Sequence, residues 1–587
     1  MSTPNLEHVR HSLAHLLAAA ITELYPKTLN TIGPSIDNGF YYDFDFSLAD
    51  ITLSEKDFPA IEKKMREILK TWKGFVQKEV SVEEAKAYFA DNEYKLELID
   101  EIAAKGEKIT LYTSGLFTDL CRGGHVEDTS HIASDSFKLS RVAGAYWRGD
   151  EKNKMLTRVY GLAFNTKDEL VAYELMQEEA EKRDHRKLGK ELDLFIFSDV
   201  VGKGLPLWTE KGATVRRELE RFIIDEEIRR GYKHVFTPDI AKIDLYKKSG
   251  HYPYYKDSMY APIKIDDEEF MLRPMTCPHH FELYLSRPRS YKELPMRIAE
   301  MAKLYRYEQS GELSGLVRVR SFCLADAHII CKDSEQAGQE VDRALDLIEY
   351  IAQIFKLQMG TDYSYRLSLG DRNNAEKYFK DDTAWDTAEE ELRKVLKKRG
   401  ATFIEAAAEA AFYGPKIDIQ MKDVRGKENT AFTVQYDFVM PKRFELTYTD
   451  SDGTKKEPLV VHRSSIGAIE RIMAFLIEKY AGAFPLWLAP IQVKIVPIGE
   501  RQEVYAREIL EKVRAANIRV ELDESGDSLG KKIRNAKLEK IPYTLVIGDK
   551  ELEAKTVTVE SRDKGNIGAH LVDDFIKQTT IDIVSKS

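Results

Sequence analysis

Thirteen histidines and four cysteines are spread over 587 residues, so the places where they gather are where metal or acid–base chemistry is to be sought. His11 and His15 stand four apart in HSLAH, while Cys121 and His125 bracket Arg122, Gly123 and Gly124. Imidazole nitrogen and thiolate sulfur are zinc donors, and paired glycines suit a tight loop that exposes its backbone. The four could form a zinc set or a hydrolytic pocket; the plainer alternative is two helix-surface histidines and a buried small cysteine. Farther along, Cys277 sits in RPMTCPHH, His328 in ADAHIIC and His462 in VVHRSS. They lie too far apart for any local ligand-spacing rule, so spacing alone leaves them open between metal ligands and core residues.

The arginines say more. Arg306 lies in LYRYEQSG, Arg318 and Arg320 in VRVRSF, and Arg471 in GAIERIMAF, where apolar neighbours predict partial burial. A buried guanidinium needs an anion, and polyphosphate suits its planar fork; structural ion pairs are the alternative. No GxxxxGK[ST] loop and no kinase glycine loop occurs, so a nucleotide here is held by arginines in another kind of fold.

These groups must be positioned by several domains, because 587 residues are too many for one core. Val9, Leu13, Leu16, Leu17, Ala20, Ile21 and Leu24 recur at helical spacing and predict an amphipathic helix over 6–25. His11 and His15 then share one face. Alternating aromatics over 33–45 predict strands and turns, within a mixed domain reaching about residue 165. The charged stretch 166–195 predicts a linker helix. The block 196–486 mixes helices such as 213–230 with strands such as 430–439. In 488–587 positive and negative side chains balance, and strand and helix patterns alternate as in a small α/β domain.

Composition narrows the function classes. A formal net charge of −10 removes any global field for polyanions, so nucleic acid must be met by a local patch. Four scattered cysteines form no disulfide framework and predict a reducing compartment. The N-terminal segment lacks a basic signal region, and no run approaches the ~20 apolar residues of a membrane span. A cytoplasmic location is expected, without a membrane partner.

RPMTCPHH, LYRYEQSG, VRVRSF followed by DAH, AFYGPKID, TVQYDF and HRSSIGAIER occur in the order found in threonyl-tRNA synthetases, and the chain resembles that class II family over nearly its whole length. HSLAH, YKLELI, DLCRGGH and GAYWRGD resemble the family's editing domain, and the tail through PYTLVIGDKE its anticodon-binding domain. The resemblance implies an α+β and α/β multidomain protein. Residues 1–165 would be the editing domain, 166–195 a linker helix, 196–486 a class II antiparallel-sheet core, and 487–587 an α/β anticodon-binding domain. It further implies a form without the family's small N-terminal ubiquitin-like domain.

By the same resemblance, Arg306 grips the ATP α-phosphate, Glu308 reads the adenine amine, and Arg318 and Arg471 clamp the γ-phosphate, with magnesium sharing the charge. Cys277, His328 and His462 hold one zinc per chain. Asp326 accepts the threonine hydroxyl, while Tyr413, Lys416 and Gln435 line that pocket. A hydroxyl-demanding site rejects valine strongly, but serine differs from threonine by one methyl, worth only about 10–200-fold. A second, hydrolytic site is therefore expected at His11, His15, Cys121 and His125, with Tyr42, Lys95 and Asp119 beside it. Partners implied are tRNA(Thr), ATP, threonine and a second copy of the chain, meeting through motif 1 around Gly231–Asp239. Lys531, Lys532 and Arg534 could touch the tRNA backbone, though a solvated helix face is the simpler reading.

Some positions depart from the family. Leu324 stands where many members have Gln, Thr430 and Ala468 replace Gln and Ser near the amino-acid pocket, and Gly526 and Glu560 replace anticodon-reading Asn and Arg. Two rival readings follow: a synthetase paralogue that only binds RNA, and an editing-only hydrolase with a degenerate ligase core.

Overall fold

The computed structural model describes residues 5–586, in two compact units divided between Glu178 and Glu179. In the first, the Asn5 side chain accepts a hydrogen bond from the Glu7 amide and caps the helix Leu6–Leu24. Val9, Leu13, Leu16, Leu17 and Ile21 on its inner face are buried against an antiparallel sheet. That sheet runs Leu29–Asn30, Gly39–Asp45, Met155–Ala163, Phe137–Tyr146. A smaller antiparallel sheet of Val76–Val80, Ile109–Ser114 and Phe117–Leu120 carries the helices Val82–Tyr88 and Glu93–Ala104. This is an α+β arrangement.

The charged stretch expected as one linker helix is two. Lys167–Arg183 and His185–Glu191 are separated by Asp184, whose backbone leaves the helical region and whose carboxylate accepts from the Arg186 amide. An aspartate in that role ends one helix by starting the next.

In the second unit an eight-stranded sheet runs Lys233–His234, Met296–Tyr305, Ser321–Cys331, Leu459–Ala468, Glu428–Asp437, Lys416–Lys422, Tyr363–Ser368, Phe403–Ala406. The six inner strands pair antiparallel and both edge pairs are parallel. Successive side chains of a strand face opposite ways, and Ser321–Cys331 shows the consequence. Ala325, Ala327 and Ile329 join the main apolar core with the helices Glu210–Arg229, Ser334–Ile354, Asp382–Lys398 and Ile469–Lys479. Leu324, Asp326 and His328, on the other face, line a large cavity.

The C-terminal sheet, ordered Val520–Leu522, Val493–Pro497, Tyr543–Ile547, Thr556–Ser561, Gly565–Leu571, has three parallel strands followed by an antiparallel hairpin. The helices Glu503–Ala515 and Leu529–Leu538 cross between the parallel strands, as the alternating pattern predicts; the hairpin lies past the last strand that pattern marks. Among the described residues no helix is long and apolar enough to cross a membrane.

Two candidate catalytic centres

The first centre lies in the N-terminal unit. His11 and His15 project from one face of the helix Leu6–Leu24, and Cys121 and His125 come from the loop after strand Phe117–Leu120. Their donor atoms all lie within 4.8 Å of one another. Cys121 Sγ is 3.3 Å from His125 Nε2 and 3.6 Å from His11 Nε2. The loop closes because Gly123 and Gly124 take positive φ, 104° and 86°, and because a Cβ on Gly123 would meet the Tyr112 hydroxyl at 2.6 Å.

Beneath these four lies a fully buried polar floor. Asp119 pairs with Lys95 Nζ at 2.5 Å, accepts from the Tyr42 hydroxyl and from the Leu120 amide, and stands 3.3 Å from His15 Nδ1. Lys95 also donates to the Tyr42 hydroxyl at 3.2 Å. A buried lysine is tolerable only because its charge is met within contact distance. Burial lowers the pKa of His11 and, with the neighbouring histidines, takes His125 down to about 2; it pushes the Cys121 thiol up to about 11. The cluster therefore presents neutral imidazoles and a thiol to whatever enters. All seven residues expected at this site are brought together.

The second centre opens into a cavity of about 810 Å³ on the eight-stranded sheet. Cys277 begins the helix Cys277–Leu285, and His328 and His462 are register partners on adjacent strands. All three are buried, with donor atoms within 4.8 Å of one another. One nitrogen of each histidine is already committed. His328 Nδ1 lies 2.8 Å from His280 Nδ1, whose other nitrogen reaches Glu300 at 3.3 Å, and His462 Nε2 lies 2.7 Å from Asp437. The uncommitted nitrogens, His328 Nε2 and His462 Nδ1, remain as donors. Two imidazoles each fixed by a second partner, with one buried thiol, form a donor set that fits zinc and leaves a coordination position open. Burial raises the Cys277 thiol well above its ordinary value, with Asp326 and Asp437 adding to it; a dication would reverse that. His280, Glu300 and Asp437 were not singled out from sequence, although the doublet His279–His280 follows Cys277 by two residues.

The same cavity is lined by Arg306, Glu308, Arg318, Asp326, Tyr413, Lys416 and Gln435. Among the described residues no carboxylate comes within ion-pair distance of Arg306 or Arg471. Arg306 spends only its Nε on the Pro274 carbonyl, at 3.4 Å, and stacks over Phe322. Arg471 donates to the carbonyls of Val317 and Thr430. Burial together with the nearby Arg306 and Arg318 lowers its pKa to about 10. A concentration of cations so costly without an anion is an anion site. Arg318 and Glu308 pair with each other at 2.7 Å, so both must exchange partners to serve a ligand.

Around the rest of the pocket, Asp326 is buried and its pKa raised by that burial. Tyr413 stacks on His462 at 4.9 Å and donates to Gln435. Lys416 pairs with Asp418 at 2.9 Å. Leu324 lines the cavity. Thr430 instead turns its hydroxyl to Gln420, and Ala468 ends its strand immediately before the helix carrying Arg471.

On the tail helix Leu529–Leu538, Lys531 and Arg534 are exposed, but Lys532 is not. Its ammonium reaches the carbonyls of Pro497 and Asp523 and lies 3.8 Å from the Asp523 carboxylate. Lys532 therefore does not belong with the exposed basic face; the helical period places it inward.

Residues 260–480 match the profile "tRNA synthetase class II core domain (G, H, P, S and T)", 492–579 an "Anticodon binding domain", and 109–160 the "Threonyl and Alanyl tRNA synthetase second additional domain". The chain is 49% identical to a threonine–tRNA ligase of Staphylococcus carnosus over 97% of its own length and 87% of the relative's. It is 48% identical to one from a Geobacillus species over 97% and 88%. A crystal structure described as the RNA binding domain of threonyl-tRNA synthetase from Cryptosporidium parvum superposes with a TM-score of 0.64 at 35% identity, covering 68% of this chain and 98% of that one.

Proposed function

The chain belongs to the threonine–tRNA ligase family, and from that premise we propose how its two centres divide the work of joining threonine to tRNA(Thr) at the expense of ATP. The observation that carries the reading is Arg306, a half-buried guanidinium unmatched by any carboxylate in the cavity that also holds Cys277, His328 and His462, with the likewise unpaired Arg471 close enough to it for their charges to interact.

In activation, a carboxylate oxygen of threonine attacks the α-phosphorus of magnesium-bound ATP and the bond to pyrophosphate breaks. Two anions must approach and negative charge gathers on the phosphoryl oxygens, so the chain contributes positioning and charge neutralisation more than a nucleophile. Arg306 meets the α-phosphate. Arg318, released from Glu308, and Arg471 hold the γ-phosphate, and the freed Glu308 accepts from the adenine amine. Cys277, His328 and His462 would hold zinc, which when bound supplies a Lewis-acid position that selects an amino acid with a hydroxyl. Asp326 accepts from that hydroxyl, and Tyr413, Lys416 and Gln435 close the pocket.

Serine carries the same hydroxyl and is disfavoured only by the worth of one methyl, about 10–200-fold, and the N-terminal centre then removes it from the tRNA. Its neutral imidazoles can accept a proton from water attacking the seryl ester. The Asp119–Lys95–Tyr42 floor fixes His15 and a buried positive charge under the site. His11, the least enclosed of the cluster's helix histidines, is the assisting base.

The same reading takes 1–165 as the editing domain, 166–195 as the linker, 196–486 as the core and 487–587 as the anticodon-binding domain, in a cytoplasmic enzyme. All four cysteines are free, which supports that compartment. A homodimer through Gly231–Asp239 is supported by Phe236, 90% exposed within that stretch. Threonine-dependent exchange of pyrophosphate into ATP is the decisive assay: it requires the adenylate, which neither an RNA-binding paralogue nor an editing-only protein can form. Absence of exchange in pure, folded protein would remove the activation reading.

A further inference from the structure

The turn carrying Arg318 lies between the strands Met296–Tyr305 and Ser321–Cys331 and is held on two sides. It closes on itself through the Val317 amide to Ser314 at 2.9 Å and the Ser314 amide to Arg318 at 3.2 Å. From one side Arg471 Nε donates to the Val317 carbonyl at 3.0 Å. From the other, the Leu316 amide donates to His185 Nε2 at 3.1 Å, and His185 Nδ1 lies 2.7 Å from Glu478.

Arg471 and Glu478 are seven residues apart on the helix Ile469–Lys479, so they share a face two turns apart. One helix thus grips the turn twice, directly through Arg471 and indirectly through Glu478 and His185. His185 is the first residue of the short helix His185–Glu191 and is buried with Glu478 and Leu316. Because an amide N–H can only donate, Nε2 must be the unprotonated nitrogen and Nδ1–H must face Glu478. The carboxylate therefore fixes the tautomer that accepts from the turn. Asp184, His185 and Glu478 are also close enough to hold a cation, but both ring nitrogens are already engaged. Gly315 completes the fit. Its φ is +48°, and a Cβ there would stand 2.1 Å from His185 Nε2.

We infer that His185 and Glu478 are a positioning pair for ATP: by holding the Ser314–Val317 turn against the helix that bears Arg471, they set Arg318 where it can leave Glu308 for a phosphate. This rests on the reading that Arg318 and Arg471 hold the ATP phosphates. A purely architectural role for His185 would cost stability without distinguishing ATP from threonine.

The test is pyrophosphate exchange by the full chain, with KM measured separately for ATP and threonine and rates corrected for active sites by adenylate burst. His185→Asn keeps a donor near the Nδ1 position and removes the Nε2 acceptor. It raises the ATP KM about tenfold, the scale of one hydrogen bond whose buried partner is left unmet, and leaves the threonine KM nearly unchanged. His185→Gln, whose carbonyl oxygen can stand near the Nε2 position, recovers most of that loss. Gly315→Ala, on a half-exposed turn, pushes the turn off His185 while leaving His185 and Glu478 unchanged, and gives the same ATP-selective defect even where His185→Asn fails to fold. An unchanged ATP KM in folded His185→Asn or in Gly315→Ala, or an equal rise for both substrates without rescue by Gln, overturns the positioning pair. Arg318→Ala separates the two levels. If it too leaves the ATP KM unchanged, the phosphate reading itself fails; if it alone raises the ATP KM, only the role of His185 and Glu478 is lost.

Discussion

His328 and His462 face each other across adjacent antiparallel strands, with ring centroids 4.6 Å apart and planes nearly perpendicular. Each ring is anchored behind by a different partner, His280 for one and Asp437 for the other. With Cys277 at a helix start beside them, three donors converge from parts of the chain far apart in sequence.

The expected outcome is one zinc per chain of the native enzyme, with bond lengths of about 2.3 Å to sulfur and about 2.0–2.1 Å to nitrogen. Elemental analysis and X-ray absorption check both. Cys277→Ala loses the metal and threonine-dependent exchange while melting near the unmodified protein. Stripping the metal with a chelator reproduces the loss, and added zinc restores it.

Arg306→Ala lowers adenylate formation by roughly 10² or more, the scale seen when a donor to developing charge is removed. Arg306→Lys rescues poorly, since an ammonium lacks the planar fork. Single-turnover adenylate formation measures both, and a near-normal rate in the Ala variant removes the phosphate role.

Deacylation of seryl-tRNA falls about 10²–10⁴-fold, the usual worth of a positioned proton acceptor, when His11→Ala is combined with Cys121→Ala. Threonine activation stays intact, because the two centres are built from separate segments. Equal deacylation by the unmodified and altered chains would make the cluster architectural.

Charge reversal at Lys531 and Arg534 weakens tRNA binding and flattens its salt dependence. Lys532→Met acts differently. It leaves the carbonyls of Pro497 and Asp523 without their buried donor, costing ~1–3 kcal/mol, read as earlier urea unfolding.

Acid stability of the N-terminal unit depends on Asp45. Burial alone would raise its carboxyl, but hydrogen bonds from Lys154, Ser47 and Tyr94 outweigh it and hold the pKa at about 2, below the usual ~3.9. A depressed carboxyl adds stability above its unfolded value and loses it as pH falls through the folded one. The unit therefore weakens between about pH 4 and about pH 2, and Asp45→Asn, less stable at neutral pH, loses that dependence. Melting temperature against pH shows the difference.

The sequence by itself determined the kinds of groups available and their local placement. Helical spacing put His11 and His15 on one face, paired glycines marked the loop between Cys121 and His125, and apolar neighbours marked Arg306 and Arg471 as partly buried. These are short-range properties, set by backbone period and residue type. Only the tertiary structure decided what meets what. Strand register opposes His328 to His462, the parity of Ser321–Cys331 separates Asp326 from Ala327, and packing of the helix Ile469–Lys479 gives His185 its partner Glu478. The single linker helix expected over 166–195 breaks because Asp184 caps the second helix, and Lys532 turns inward while Lys531 and Arg534 stay in solvent. Such pairings depend on which faces lie against each other once the chain has closed, and neighbouring residues carry no record of that.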